Sequence, residues 1–320
     1  MYPWLIPHWQ QFTQGAAQGR LAHGWLLCGA SGSGKGELAQ AFARRVLCQA
    51  PSQAAPCGHC HACTLLARGH HPDLHLAEVA GRSIGVDTIR ELIGQLAVSP
   101  QLGQAKVAIL PQAQRMTESA ANALLKTLEE PPGAAYLFLL TDQPNALLPT
   151  IVSRCRRLSL QPDEQTALAW LRQQADGQQA TAMHLRLNQG APLATLAYLS
   201  AGTEAQRQHL CQLVLALRQT PWRQGELQKL LLELPLGLGW LQLLLLDALK
   251  RQQGLALTDL VMQDCGPLLD WLAAKPSAQL LGLLRRLARL QEERQNPLFN
   301  VSLSLLDWLN DLIFEENKTC

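Results

Sequence analysis

The chain has 320 residues, and at about 100–200 residues per domain that length calls for two or three domains. Hydrophobic residues make up 48% and charged residues 16%, a balance that excludes global disorder. A formal net charge of +2 argues against a protein that meets nucleic acid chiefly through a strong basic field.

In chain order, Met1-Tyr2-Pro3-Trp4 lacks the basic and apolar regions of a signal peptide. Trp25-Leu26-Leu27-Cys28 reads as a short strand ending in a glycine-rich turn, and Glu37 to Leu47 carries helical spacing. Further strand-like runs are Leu74 to Val79, Val107 to Leu110, Tyr136 to Leu140 and Arg157 to Leu160. Helical segments separate them at Val86 to Ala97 and Glu118 to Glu129, and Pro131-Pro132 stops the second. A short helical stretch from Asn145 to Val152 precedes the last strand-like run. Strands alternating with helices predict a mostly parallel sheet covered on both faces.

After Leu160 the strand signal ends. Gln161-Pro162-Asp163 reads as a linker, with Asp163 capping a helix that runs to Gln174. Helical patterns continue to Leu199, and a polar gap follows at Ser200-Ala201-Gly202-Thr203. From Glu204 onward the chain reads as leucine-rich helices broken at Pro221, Pro235, Gly254, Pro267, Pro276 and Pro297. The most apolar stretch, Leu227 to Leu249, contains Lys229, Glu233, Pro235, Gln242 and Asp247. A membrane span needs roughly 20 apolar residues with few charges, so this stretch reads as buried amphipathic helix. The sequence thus predicts a cytoplasmic chain with no membrane segment. Its domains are an α/β unit over 1–160, a small helical unit over 161–202 and a helical unit over 203–320.

Three motifs carry chemistry. Gly29-Ala30-Ser31-Gly32-Ser33-Gly34-Lys35-Gly36 fits G-x-x-x-x-G-K between a strand and a helix. Gly29, Gly32 and Gly34 let backbone N–H groups converge on phosphate, the helix start favours the anion, and Lys35 adds a positive charge. Gly36 stands where a Ser or Thr hydroxyl would ligate Mg²⁺. The run Lys106-Val107-Ala108-Ile109-Leu110 ends in Pro111-Gln112, where an acidic pair would hold the metal and position water. Both departures affect one metal and one attacking water, so the loop is expected to hold a nucleotide at most, without hydrolysing it.

Cys48, Cys57, Cys60 and Cys63 form C-x8-C-x2-C-x2-C. In a reducing compartment such a cluster favours metal over disulfides, and four thiolates close a tetrahedral Zn²⁺ site. His59 and His61 are alternative ligands that a four-cysteine shell does not need. An iron–sulfur run of the ferredoxin type would require a cysteine where Ala67 stands. Finally, Ser153-Arg154-Cys155 follows the fourth strand-like run, and Arg156 and Arg157 lie beside it. On its own Arg154 is a surface arginine. As a finger reaching a neighbour's phosphate it would contribute about 10³–10⁵ in rate.

These motifs, together with Ala121-Asn122-Ala123-Leu124-Leu125-Lys126-Thr127-Leu128-Glu129-Glu130-Pro131-Pro132, resemble the AAA+ clamp-loader subunits of bacterial DNA polymerase III. Tyr2-Pro3-Trp4-Leu5 and Ile84-Gly85-Val86-Asp87-Thr88-Ile89-Arg90 are more similar to the delta prime branch than to the tau/gamma ATPases. The resemblance implies an α/β AAA+ P-loop domain, a small helical lid and an all-α collar. It implies a hetero-pentameric ring with tau/gamma and delta subunits that places a sliding clamp on primer–template DNA. The delta prime branch is the rigid, non-hydrolysing member and lends an arginine finger, at the position of Arg154, to a neighbouring ATPase. The four cysteines match the family's zinc module, and ATP or ADP binding without hydrolysis is compatible with the retained loop. In Gly190-Ala191-Pro192-Leu193, Leu193 stands where active subunits carry a sensor arginine. Two competing readings are an active ATPase of the tau/gamma type and a zinc-dependent nucleic-acid-binding module. Cys28, Cys211, Cys265 and Cys320 have no assigned role.

Overall fold

A computed structural model describes all residues except 53–54, 80, 104, 175–179, 295–298 and 315–320. Pro297 and Cys320 therefore lie outside the described residues. The chain divides into two compact units, residues 1–180 with 188–196, and residues 181–187 with 197–320.

The first unit is built on five parallel strands. They are β1 (Gly24–Cys28), β2 (Leu74–Leu76), β3 (Lys106–Leu110), β4 (Ala135–Thr141) and β5 (Arg156–Ser159), in the order β2-β3-β4-β1-β5. The unbroken apolar runs of β1 and β3 follow from burial on both faces, which parallel sheets require. Alternate residues of β1 serve opposite cores. Leu26 and Cys28 face α4 (Val86–Ala97), α5 (Glu118–Glu129) and α6 (Pro149–Arg154). Trp25 and Leu27 face α1 (Ile6–Ala17) and α2 (Lys35–Leu47), where Phe12 and Phe42 stack at 3.8 Å between ring centroids. A short helix α3 (His61–Ala67) leads into β2.

Two predicted elements shift for identifiable reasons. The edge strand β2 stops at Leu76, short of Val79, because its partner β3 is followed by Pro111, which has no N–H to continue the ladder. Gln112 then turns the chain away with φ 51°. The helical stretch foreseen over Asn145 to Val152 is a 3₁₀ turn at Pro144–Ala146 followed by α6. Pro149 sits at the first helical position and holds Leu148 extended, which separates the two. Asp163 does cap α7 (Glu164–Gln174), accepting the Thr166 N–H at 2.9 Å. The chain continues through α8 (Ala182–Leu187), in the second unit, and α9 (Pro192–Ser200), within which the division between units falls.

The second unit is helical, with α10 (Thr203–Ala216), α11 (Gln224–Glu233), α12 (Gly237–Gln252), α13 (Gly266–Ala273), α14 (Ser277–Glu293) and α15 (Val301–Ile313). Pro235 breaks the most apolar stretch between α11 and α12, and the pair bends by 116°. Leu238, Leu241, Leu244 and Leu245 of α12 are buried. Among the described residues no single helix is long and apolar enough to cross a membrane.

One polar cluster sits inside these leucines. Arg207 of α10 is fully buried, its Nε donating to Glu204 at 3.2 Å and its guanidinium reaching Asp264 at 3.1 Å. Tyr198 donates its hydroxyl to Glu204 at 2.6 Å. Removing the guanidinium leaves two carboxylates with only the His184 ring, 3.8 Å from Glu204, beside them. We expect Arg207→Leu to destabilise the helical unit by about 3 kcal/mol, measured by urea denaturation followed by circular dichroism. An unchanged midpoint would show that the cluster is dispensable.

Candidate functional site

The phosphate-loop residues leave the carboxyl end of β1, which lies between β4 and β5, and α/β proteins bind ligands at the carboxyl ends of such strands. Gly32 and Gly34 adopt φ of 81° and 92°, left-handed conformations that side chains resist. Gly29 is closely enclosed, because a Cβ there would lie 2.7 Å from Ser33 Oγ and 3.0 Å from the Leu160 carbonyl oxygen. Gly36, by contrast, has open space around it, so the missing hydroxyl is no steric demand of the fold.

The loop is held from two sides. The Leu193 N–H, at the start of α9, donates to the Gly32 carbonyl at 3.0 Å. A Cβ on Gly32 would meet the Ala194 nitrogen at 2.5 Å, so the two backbones touch directly. On the other side Trp4 Nε1 donates to the Ser33 carbonyl at 2.8 Å, and Leu5 packs within 3.1 Å of a Cβ placed on Gly34. Tyr2 stacks on Trp4 at 5.0 Å, and Trp170 of α7 meets both rings edge-on. Lys35 turns back onto the loop, donating to the carbonyls of Gly29 at 3.0 Å and Ala30 at 3.2 Å.

A cavity of about 250 Å³ opens beside the loop, lined by Lys35, Glu37, Gln112, Gln114, Asp142 and Leu193 among others. Burial lowers the Lys35 pKa, while Asp142 and Glu37 pull it back upward. Pro111 and Gln112 line the cavity where β3 ends, without a carboxylate. The carboxylates present are Glu37 and Asp142, which sequence reasoning passed over. Asp142 follows β4, the neighbour of β1, and the sheet order is the signal that brings it to the loop. It accepts a hydrogen bond from Gln114, whose amide oxygen in turn accepts from Thr141 at 2.9 Å. A larger cavity of about 400 Å³ lies next to the loop's other flank, with Cys28, Asp142, Arg157 and Ser159 in its wall.

The end of α2 and the start of α3 bring the four cysteines together. All four sulfurs lie within 4.8 Å of one another, with Cys48–Cys60 and Cys57–Cys63 at 4.0 Å. Sulfurs at about 2.3 Å from a tetrahedral ion are about 3.8 Å apart, so the set fits a metal closely. Backbone N–H groups of Cys57, Cys60 and Cys63 donate to the sulfurs of Cys48, Cys57 and Cys60 at 3.2, 3.3 and 3.4 Å. Burial opposes ionisation of Cys60, but the N–H groups of Cys63 and Gln49 outweigh it and bring its pKa to about 6. Burial, and then the Cys60 thiol, push Cys63 up to about 12. A bound cation is what would let all four ionise together. His59 and His61 are both exposed, and His59 bonds the Cys57 carbonyl instead. The cluster can hold a metal ion.

Arg154 is the last residue of α6, about one-third exposed. Its Nε donates to Glu129 Oε1 at 2.8 Å, and Nη2 meets the same oxygen at 2.5 Å. Nη1 donates to the Thr150 carbonyl at 3.0 Å. Its neighbours go elsewhere, Arg156 over the Trp25 ring at 5.0 Å and Arg157 to the wall of the larger cavity. The phosphate loop, the cysteine cluster and Arg154 thus occupy three separate places in the first unit.

Comparison with known proteins matches this architecture along nearly its whole length. The family described as DNA polymerase III, delta subunit, matches residues 7–164. The AAA+ ATPase lid domain of DNA polymerase III subunit delta' matches 162–200, and the C-terminal domain of the delta subunit matches 202–313. DNA polymerase III subunit delta' of Escherichia coli is 41% identical over 264 residues, covering 80% of this chain and 78% of the relative. The delta' subunit of Haemophilus influenzae is 35% identical over 334 aligned positions, covering 100% and 99%. A DNA polymerase III gamma subunit-related protein of Thermotoga maritima, solved by crystallography, shares the fold with TM-score 0.50 and 19% identity, covering 95% of this chain and 98% of that one. The parallel sheet with its phosphate loop, the lid sequence and the helical C-terminal unit make this an AAA+ protein, and the chain belongs to the family of DNA polymerase III delta' subunits.

Proposed function

We propose that the chain is the non-hydrolysing stator of the DNA polymerase III clamp loader. It assembles in the cytoplasm with tau/gamma and delta subunits in a hetero-pentameric ring, and helps load a sliding clamp onto primer–template DNA. Residues 1–160 form the nucleotide-binding-like domain with its zinc module, 161–202 the lid and 203–320 the collar that joins subunits. Arg154 serves as an arginine finger for a neighbouring ATPase. The observation that carries this reading is a contrast within one domain. The chain's own phosphate loop is latched by α9 and has no acidic pair after β3, whereas Arg154 stands at the surface end of α6. Such a chain is equipped to complete another subunit's site and poorly equipped to run its own.

We expect a clamp loader reconstituted with Arg154→Ala to hydrolyse ATP about 10³-fold more slowly at the site that Arg154 serves, the low end of what finger arginines contribute, and to load clamps more slowly. Undiminished turnover would remove the finger role.

The alternative, an ATP-hydrolysing subunit of the tau/gamma type, draws support from the retained Gly29, Gly32, Gly34 and Lys35 and from Glu37 and Asp142 in the cavity wall. Gly36 supplies no ligand atom, and Asp142 is engaged by Gln114. Nucleotide held there without hydrolysis remains compatible with the stator reading. We expect no Mg²⁺-dependent turnover by the isolated chain and no difference on Lys35→Ala; a steady rate abolished by that substitution would favour the alternative.

The metal of the cysteine site is Zn²⁺, held by Cys48, Cys57, Cys60 and Cys63 as a closed structural centre. The spacing of the four sulfurs supports this assignment. Elemental analysis should return one zinc per chain, and Cys60→Ser should lose it and destabilise the first unit. Full folding stability without metal would contradict a structural role.

A further inference from the structure

The finger arginine is not free in the isolated chain. Both the Nε and Nη2 edges of Arg154 converge on a single oxygen of Glu129, at 2.8 and 2.5 Å, and Nη1 is taken by the Thr150 carbonyl one helical turn earlier. Ser153 Oγ, itself bonded to the Thr150 carbonyl at 3.0 Å, lies 3.5 Å from the same Nη1. The guanidinium therefore has its Nε/Nη2 pair turned toward the end of α5 and its Nη1 toward the backbone of α6. A phosphate oxygen presented by another subunit would find the Nε/Nη2 donor pair already taken.

We propose that Glu129 is a positioning residue that parks Arg154, and that engagement of a neighbour's phosphate exchanges the Glu129 carboxylate for the phosphate. The proposal rests on the finger reading of Arg154. The magnitudes suit an exchange. Glu129 is about half exposed and Arg154 about one-third, and a solvent-exposed ion pair of this kind shifts an equilibrium by about two- to fivefold. That is weak enough for a multiply charged phosphate to displace and strong enough to keep the guanidinium from sampling wrong partners. The competent, unparked fraction sets the apparent strength of the finger, so loosening the park should strengthen it. The location of Glu129 adds a reason for the arrangement. It is the last residue of α5, immediately before Glu130-Pro131-Pro132, so one helix end and its proline stop fix where the carboxylate stands.

The test combines a spectroscopic and a kinetic readout. In the isolated chain, the Arg154 Nε–H proton should exchange slowly with solvent, and Glu129→Gln should speed exchange about two- to fivefold while Glu129→Asp partly restores the protection. In the reconstituted clamp loader, Glu129→Gln should raise ATP hydrolysis by a similar factor, and should have no effect when Arg154 is already alanine. Unchanged Nε–H exchange, or a hydrolysis rate that is unchanged or lowered by Glu129→Gln while Arg154→Ala still slows it, overturns the parking role and leaves the finger intact. If Arg154→Ala leaves hydrolysis untouched, the finger reading fails and the parking role falls with it.

Discussion

The contact between Gly32 and the first turn of α9 organises the loop end of the first unit. A helix start carries backbone N–H groups with no partner inside the helix, and Leu193 meets that need at the Gly32 carbonyl. The hydrogen bond itself contributes only about 1 kcal/mol. Its consequence is geometric, because it draws Ala194 against Gly32 so closely that no side chain fits between them. Leu193 then lines the wall of the phosphate cavity, an apolar group where anion chemistry needs a cation. With Trp4 bonded to Ser33 on the opposite flank, the loop is braced in one shape. Lys35 makes the best of this arrangement by bonding the loop's own carbonyls. A loop held in this way is a structural corner of the fold, which is what the proposed stator role asks of it.

The same sheet that braces the loop also fixes the position of Arg154. β5 pairs with β1, so α6, which feeds β5, is fixed relative to β1 and the loop that follows it. Arg154 at the end of α6 inherits that fixed position, and only its side chain has freedom to move. The cysteine cluster has a comparable logic at the other side of α2. The sequence from Leu47 to His61 offers little apolar surface to bury, and the four cysteines are placed so that a metal ion could supply the order that packing does not. In the second unit the Arg207 cluster gives polar definition to helices that are otherwise nearly uniform in leucine.

Much of this was legible in the residues. The strands β1, β3 and β4 announced themselves as apolar runs because parallel strands are buried on both faces, and the four-cysteine spacing pointed to one metal site. Asp142 was not legible, since its approach to the loop depends on β4 lying beside β1, a pairing between residues more than a hundred positions apart. The Glu129–Arg154 pair was hidden for the same reason, as it joins ends of two helices separated by a strand. The tight contact at Gly32 was equally invisible, because nothing in Pro192-Leu193-Ala194 states which carbonyl the helix start will find. Pattern along the chain revealed elements and local ligands, whereas contacts across the sheet required the fold.

The most direct test of the central claim is amide hydrogen exchange at Leu193 in the intact chain, measured with and without Mg²⁺ and ATP. A braced loop that serves as structure predicts a protected Leu193 N–H whose exchange is unaffected by millimolar nucleotide. Loss of that protection at micromolar ATP would mean that α9 readily yields its place to phosphate, and would contradict the account.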